Sequence, residues 1–485
     1  MRNLSNQFLT HWINFWVFVF CVSVIALNGH GGEATIILLF TMVYIFITNN
    51  DVRSKHKLHR DEIIFIILVI LFWFSKVLNT LFQPESLEFE NTRMALAAMD
   101  NPMRWLLMLP IFFLFRRYKL DWRIISMGLS IGVFISVSVA AYEVYFLGHT
   151  RATGAMNHAI AYGEIMVAVD LLLWVLMIFA WKNNNKLLTT ILLIASLVAF
   201  YGSLLSVTRG AWLVYIFMIL SFVIYTLKRT ISNINHFFSK PILLRIFLAF
   251  IVFFLVAQTE QYKTIQNSST DTVRKIIGGD YEDASSGRIT LYRTALKIAR
   301  HFPFGVGTGN FSNGGKAIII IDAMNHPNVT VINQNNKILS NDDIDAYKHQ
   351  YNQYLNDDFI GDIHKYHYLQ SFNENGSIKY TSKWNHAHNE WLNILAENGV
   401  AGFILLTLLF AFPIKIFWQN LSHENDLVGM YSYCGILHIV SFTIFGQTQS
   451  IFSSHAIVIF FIFFLFLFLG QISRLSNIDD NHGTF

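Results

Sequence analysis

The sequence predicts an all-α polytopic membrane protein of about twelve transmembrane helices, with one large outside loop that contains short helices. Three observations carry this. Of 485 residues, 54% are apolar, 45 are phenylalanine and 14% are charged, against about a quarter charged in soluble domains. Apolar runs approaching the roughly twenty residues of a membrane span recur along the chain. Lysines and arginines collect in alternate loops. The net charge of +4 is small and the basic residues are scattered, which argues against a nucleic-acid binder. Cys21 and Cys434 sit in apolar runs and read as small buried hydrophobes.

The expected spans lie near 12–28, 33–49, 63–82, 104–115, 124–147, 158–181, 187–207, 210–227, 242–257, 399–418, 428–447 and 455–472. The first is read as a helix that stays in the membrane, since no A-x-A cleavage site follows it. The fourth is short and contains Pro110, and the eighth is separated from the seventh only by "SVTRGA". Arg53, Lys55, Lys57 and Arg60 fall in one loop, Arg116, Arg117, Lys119 and Arg123 in another, and Lys228, Arg229, Lys240 and Arg245 in a third. All three lie on the same side if both termini are inside. The chain then divides into a membrane region of about nine spans (1–257), an outside loop (258–388), a region of about three spans (389–474) and an inside tail (475–485).

The loop carries turn signals, "NSSTD", "IGGD" and "DASSGR", and one clear helical stretch, "ITLYRTALKIARHF". Leu291, Ala295 and Ile298 form its apolar face, with Arg293, Lys297 and Arg300 opposite. "FGVGTGNF" (304–311) lacks the GK[ST] of a phosphate-binding loop and reads as a turn returning the chain to the membrane.

Several polar residues fall where lipid is expected. Lys76, Glu143 and Glu164 read as helix-end charges or structural pairs, and Asp170, deeper, is either that or a pathway residue. Arg209, on the tight "TRG" turn, faces either a phosphate or lipid headgroups; its rigid fork suits bidentate phosphate binding. Arg288 follows "EDASSG" and opens the helical stretch, where backbone N–H groups can form an anion nest; the alternative is a plain cap with a solvated arginine. His364, His367, His386 and His388 lack HExxH or other ligand spacing, so no metal or other cofactor is expected.

"NHAHNEWLNILAENGVAGF" (385–403) sets a polar cluster against an apolar run. Asn389 suits an N-cap, Glu390 the first helical turn and Trp391 an interfacial aromatic belt. Gly399 and Gly402 suit close approach of another helix. His388 is left at the mouth of this helix, where a neutral imidazole can accept a hydroxyl proton.

This stretch resembles the O-antigen ligase superfamily, whose motif is His-Asn, nine residues, then Gly-x-x-Gly; His388, Asn389, Gly399 and Gly402 match it. "TRGAW" resembles the family's Arg-Gly turn, matching Arg209, and "SSGRITLYRTALKIARHFPFGVGTGNF" resembles its outer-loop pattern, matching Arg288. The motifs cover about fifty residues; the topology covers most of the chain. The resemblance implies a glycosyltransferase of the bacterial inner membrane whose active site faces the periplasm, with both termini cytoplasmic. It would move a glycan from undecaprenyl pyrophosphate to a sugar hydroxyl of lipid A–core in lipopolysaccharide biosynthesis. Transfer would be metal-independent and inverting. Arg209 and Arg288 would hold the pyrophosphate, with Arg293 and Asn389 as further substrate-binding residues, and His388 would orient or deprotonate the acceptor hydroxyl.

Three rivals remain. An O-antigen polymerase uses the same donor, but its R-x10-G pattern occurs only at Arg117 and Gly128, on the inside. A protein O-oligosaccharyltransferase commonly carries a longer outer domain after the last spans. A transporter or flippase of twelve spans should divide into two six-span halves, and the long loop after the ninth span breaks that division.

Overall fold

The computed structural model describes residues 6–27, 31–48, 58–83, 92–229, 240–326, 330–333, 337–340, 342 and 368–482. Helices stand at every expected span position. The first nine are α1 (Asn6–Ala26), α2 (Gly31–Thr48), α3 (Arg60–Leu81), α4 (Thr92–Arg117), α5 (Trp122–Tyr145), α6 (Ala159–Lys182), α7 (Lys186–Leu205), α8 (Arg209–Arg229) and α9 (Lys240–Ala257). The polar segment folds as α10 (Glu260–Ile277), α11 (Tyr281–Ala284), α12 (Arg288–His301), α13 (Phe311–Asn325) and the strands β1 (Val331–Asn333), β2 (Leu369–Phe372) and β3 (Ile378–Thr381). Then follow α14 (Glu390–Asn420), α15 (Asp426–Thr448) and α16 (His455–His482). Among the described residues, nine helices are long and apolar enough to cross a membrane: α1 to α3, α5 to α7 and α14 to α16. The chain is therefore a multi-pass, mainly helical membrane protein. Residue 475, where an inside tail was expected, lies within α16.

Phenylalanine fills the centre. Phe460, Phe463 and Phe464 of α16 are fully buried, and Phe463 stacks on Phe20 of α1 with ring centroids 3.5 Å apart. The opposite faces of the outer helices leave Phe40, Ile67, Ile216, Phe247 and Ile404 exposed. An apolar surface this extensive needs lipid as its solvent.

Two buried ion pairs tie helices together. Asp170 of α6 accepts hydrogen bonds from Arg245 Nη2 of α9 at 2.6 Å and from the Tyr215 hydroxyl of α8 at 2.8 Å. Glu62 of α3 accepts from Arg116 of α4 and from the Ser473 hydroxyl of α16. The pathway alternative for Asp170 therefore gives way to a structural pair. The expectation that Arg116 and Arg245 are loop charges is also corrected: both are buried in these pairs, so orientation rests on the remaining basic residues.

The polar segment has a core of its own. Leu291, Ala295 and Ile298 are buried against Val306, Phe311, Val331 and Leu369, as the apolar face of α12 requires. The three strands form an antiparallel sheet in the order β1-β2-β3, an addition to the helices expected there.

α14 is broken at Gly399, whose φ of 65° and ψ of −167° lie in a region essentially restricted to glycine. A Cβ there would stand 2.3 Å from the Pro303 carbonyl oxygen. The partner at Gly399 is therefore a loop, not the helix expected from the Gly-x-x-Gly spacing. At Gly402 a Cβ would meet Asn398 of the same helix. The "FGVGTGNF" loop repairs the break: Val306 N donates to Ala396 O (3.1 Å), Gly307 N to Glu397 O (3.0 Å) and Val400 N to Pro303 O (3.1 Å). Irregular backbone in a membrane helix persists where protein satisfies its polar groups in this way.

Candidate active site

The polar stretch that opens α14 meets two tight turns and the end of α15. Asn389 is the N-cap, its Oδ1 accepting from Leu392 N at 3.0 Å. Its amide nitrogen donates to the backbone and side-chain oxygens of Gln447, each at 3.3 Å. Trp391 is half-buried against Gly446 and Phe410. His388 takes a left-handed backbone (φ 52°), and its Nδ1 lies 2.6 Å from Oε1 of Gln449. With the amide in this orientation, Nδ1 carries the proton and donates it. Nε2 is then the unprotonated nitrogen, the one able to accept a proton.

Arg288 is brought to His388 by the same segment. The Tyr292 hydroxyl of α12 donates to the Gln447 carbonyl at 3.1 Å, docking α12 on the end of α15. Arg288 is close enough to disfavour protonation of His388 electrostatically. Of the two readings for the start of α12, the hydrogen bonds favour the plain cap over the anion nest: Arg288 N donates to Ser285 O, and Thr290 N to the Glu282 carboxylate at 3.2 Å. The fork of Arg288, with no carboxylate partner among the described residues, is the group left to meet an anion.

Arg209 opens α8 on the turn after α7. It is exposed, and its Nη1 donates to Ser269 Oγ of α10 at 2.9 Å. The adjacent Gly210 is packed so closely that a Cβ would lie 2.8 Å from Thr448 Oγ1. Residues 446–449, "GQTQ", thus touch the turns of His388, Asn389, Arg209 and α12 alike.

Two further groups were not singled out from the sequence, Arg151 and His158. Arg151 Nε donates to Ser206 O at 3.0 Å, which fixes the 151–158 loop to the turn before Arg209. Glu143 secures the loop's other side by accepting from Thr153 N, Thr153 Oγ1 and Gly154 N. Burial and nearby Arg209 hold the Arg151 guanidinium below its usual range. His158 is likewise lowered by burial and by Arg151. Burial also lowers His388, as do Arg288 and His158, while the Gln449 bond opposes the shift. His386, whose ring centroid is 4.3 Å from that of His388, is lowered to about 4 by burial first, then by His388 and His158. Arg151, Arg209, Arg288, His158, His386 and His388 are therefore one basic cluster whose histidines are neutral near pH 7. Arg293 is not drawn in: it is exposed on α12, and its electrostatic neighbour is Tyr380 of β3.

Backbone strain concentrates here. Five non-glycine residues among those described have positive φ, and four of them, Ala155, Val207, Ser286 and His388, lie on the segments carrying these six side chains. A β-branched residue such as Val207 (φ 56°) is a true outlier in this region. Strain of this kind persists where the surrounding structure over-determines it, as at functional sites.

His364 and His367 lie outside the described residues.

The arrangement suits a dianionic group held by forks beside a neutral imidazole. Residues 194–356 match the family described as O-antigen ligase, a window that contains Arg209 and Arg288 and ends before His388. Over 462 residues, 94% of this chain and 98% of the relative, the chain is 20% identical to a Haemophilus influenzae protein described as uncharacterized. The domain match covers the Arg209 and Arg288 motifs and supports a resemblance of residues 194–356 to the O-antigen ligase superfamily.

Proposed function

We propose that the chain is an O-antigen ligase. It takes a glycan from undecaprenyl pyrophosphate and places it on a sugar hydroxyl of lipid A–core, at the periplasmic face of the bacterial inner membrane. The observation that carries this reading is the pairing of His388, whose Nε2 is left as a base, with an arginine cluster that holds Arg288, Arg209 and Arg151.

The chemistry follows from the charges. The acceptor oxygen attacks the anomeric carbon of the donor glycan, and the bond from that carbon to the pyrophosphate oxygen breaks with its electron pair on the departing oxygen. The acceptor proton passes to Nε2 of His388. Attack opposite the leaving group inverts the anomeric centre. Negative charge grows on the leaving pyrophosphate, and preorganised guanidinium forks stabilise it. Pyrophosphate is already a good leaving group, so the arginines can fill the role a metal fills elsewhere. The left-handed turn at His388 aims the imidazole, and Gln449 fixes its tautomer. On this reading the chain crosses the membrane twelve times with residues 258–388 outside, so that the cluster faces the periplasm, where both lipid-linked substrates lie.

The test is transfer by purified protein from a lipid-linked glycan donor, with chelator present. It compares lipid A–core with a second lipid-linked glycan as acceptor. Transfer to lipid A–core is expected. Transfer only to the second lipid-linked glycan identifies a polymerase and overturns the ligase reading.

A further inference from the structure

The buried polar side chains of α14 from Glu390 to Glu397 serve a different space from the basic cluster. A cavity of about 240 Å³ lies between α3, α4 and the start of α14. Lys76, Glu390, Asn393 and Glu397 line it, and each is at most 8% exposed. Phe72 and Trp105 form an apolar wall, and His386 stands at its edge. The polar residues are held firmly. Lys76 Nζ donates to Asn398 Oδ1 at 3.0 Å, Asn398 Nδ2 to Thr308 Oγ1 at 2.8 Å, and Phe452 N to the Glu390 carboxylate at 3.0 Å. Asn393 Oδ1 fixes the backbone before His388 by accepting from Ala387 N at 3.0 Å.

The lining excludes most ligand classes. Two carboxylates oppose an anion, and buried charges oppose an acyl chain. The lysine opposes a bare cation. What remains is a neutral ligand that donates and accepts hydrogen bonds around its edge and offers an apolar face. A sugar ring has this form. The volume agrees: it far exceeds one water, whose share is about 30 Å³, and falls below the roughly 300–1,000 Å³ of pockets for drug-sized ligands. There is room for one ring.

We propose that this cavity is the subsite for the accepting monosaccharide, an inference that rests on the transferase reading above. No arginine lines it, so it is not where the pyrophosphate lies. His386 separates it from His388 by one ring contact of 4.3 Å. A ring seated among Glu390, Asn393 and Glu397 sends a hydroxyl past His386 to Nε2 of His388, while the donor pyrophosphate occupies the arginine side. Specificity for the accepting sugar then resides in α3, α4 and α14.

Ala98 on α4 lines the cavity without belonging to its polar network. Ala98→Phe fills the space and leaves the charged groups in place; Ala97→Leu, on the same wall, serves if the larger variant does not accumulate in membranes. Full-length protein in lipid nanodiscs is titrated with delipidated core oligosaccharide by saturation-transfer NMR and assayed for transfer. The filled variant is expected to bind the oligosaccharide at least 10-fold more weakly and to raise the acceptor KM by a similar factor, with the donor KM unchanged. Equal binding by the two proteins, binding by neither, or a shift confined to the donor KM overturns the subsite. Binding that the filling abolishes, in a wild-type protein that transfers nothing, leaves the subsite standing and sinks the transferase reading instead.

Discussion

Nδ1 of His388 lies 2.6 Å from the side-chain oxygen of Gln449, the last position of the "GQTQ" segment that closes α15. This bond sets which imidazole nitrogen bears the proton. It also joins the turn before α14 to the segment on which α12 docks. Everything proposed for catalysis depends on it.

The bond gives a pH signature. His388 lies below the ordinary histidine value of 6.5, chiefly through burial. Its neutral form is the base, so activity is expected to fall as pH drops through a value below 6.5. Gln449→Glu adds an anion that favours imidazolium, so the acid limb of the rate profile should move to higher pH. A profile of kcat/KM against pH for both proteins checks this; an acid limb that stays in place contradicts the pairing.

Arg288→Lys should lose about 10²-fold or more in kcat, the scale of one preorganised donor to a developing oxyanion. A lysine keeps the charge but not the fork. Arg151→Lys should behave alike, since Arg151 belongs to the same cluster. Arg293→Lys should stay near wild type, because Arg293 faces β3. Steady-state kinetics on the three variants separates these expectations.

Gly399→Ala should destabilise the protein and impair transfer together. The residue enters a backbone region costing on the order of 1–3 kcal/mol for non-glycine, and its Cβ would strike the Pro303 carbonyl. The loop of residues 303–309 would be displaced from the start of α14. Thermal unfolding in detergent, alongside the transfer assay, reports both effects.

Arg245→Met leaves the Asp170 carboxylate uncompensated inside the bundle. Breaking one side of a buried pair costs about 3–5 kcal/mol, while replacing both sides is often neutral. The single variant should melt well below wild type, and Asp170→Asn with Arg245→Met should recover most of the loss. Equal melting of the single and double variants argues against the pair.

Much of this was legible in the sequence because lipid imposes strong patterns. Spans must be long and apolar, so helices appeared at every expected position. His388, Asn389, Arg209 and Arg288 were recognisable because motif spacing and turn chemistry are local. Arg151 was not, since its place beside Arg209 depends on the bond to Ser206 that ties its loop to the distant turn after α7. "GQTQ" read as the plain end of a span, and its contacts with four segments exist only after packing. The strands are three or four residues long, too short for alternation to show. Lys76 read only as a helix-end charge or half of a structural pair, and Glu397 and Asn398 had no assigned purpose, until the fold brought residues 76 and 398 together.

The most direct test of the central claim is glycan transfer by purified His388→Asn protein. Asparagine tolerates the left-handed backbone that His388 adopts, so the turn should form and the protein should reach the membrane and melt as wild type does. With no imidazole, transfer to lipid A–core should fall to background under saturating donor and acceptor. Transfer at a rate near wild type would contradict the assignment of His388 as the base.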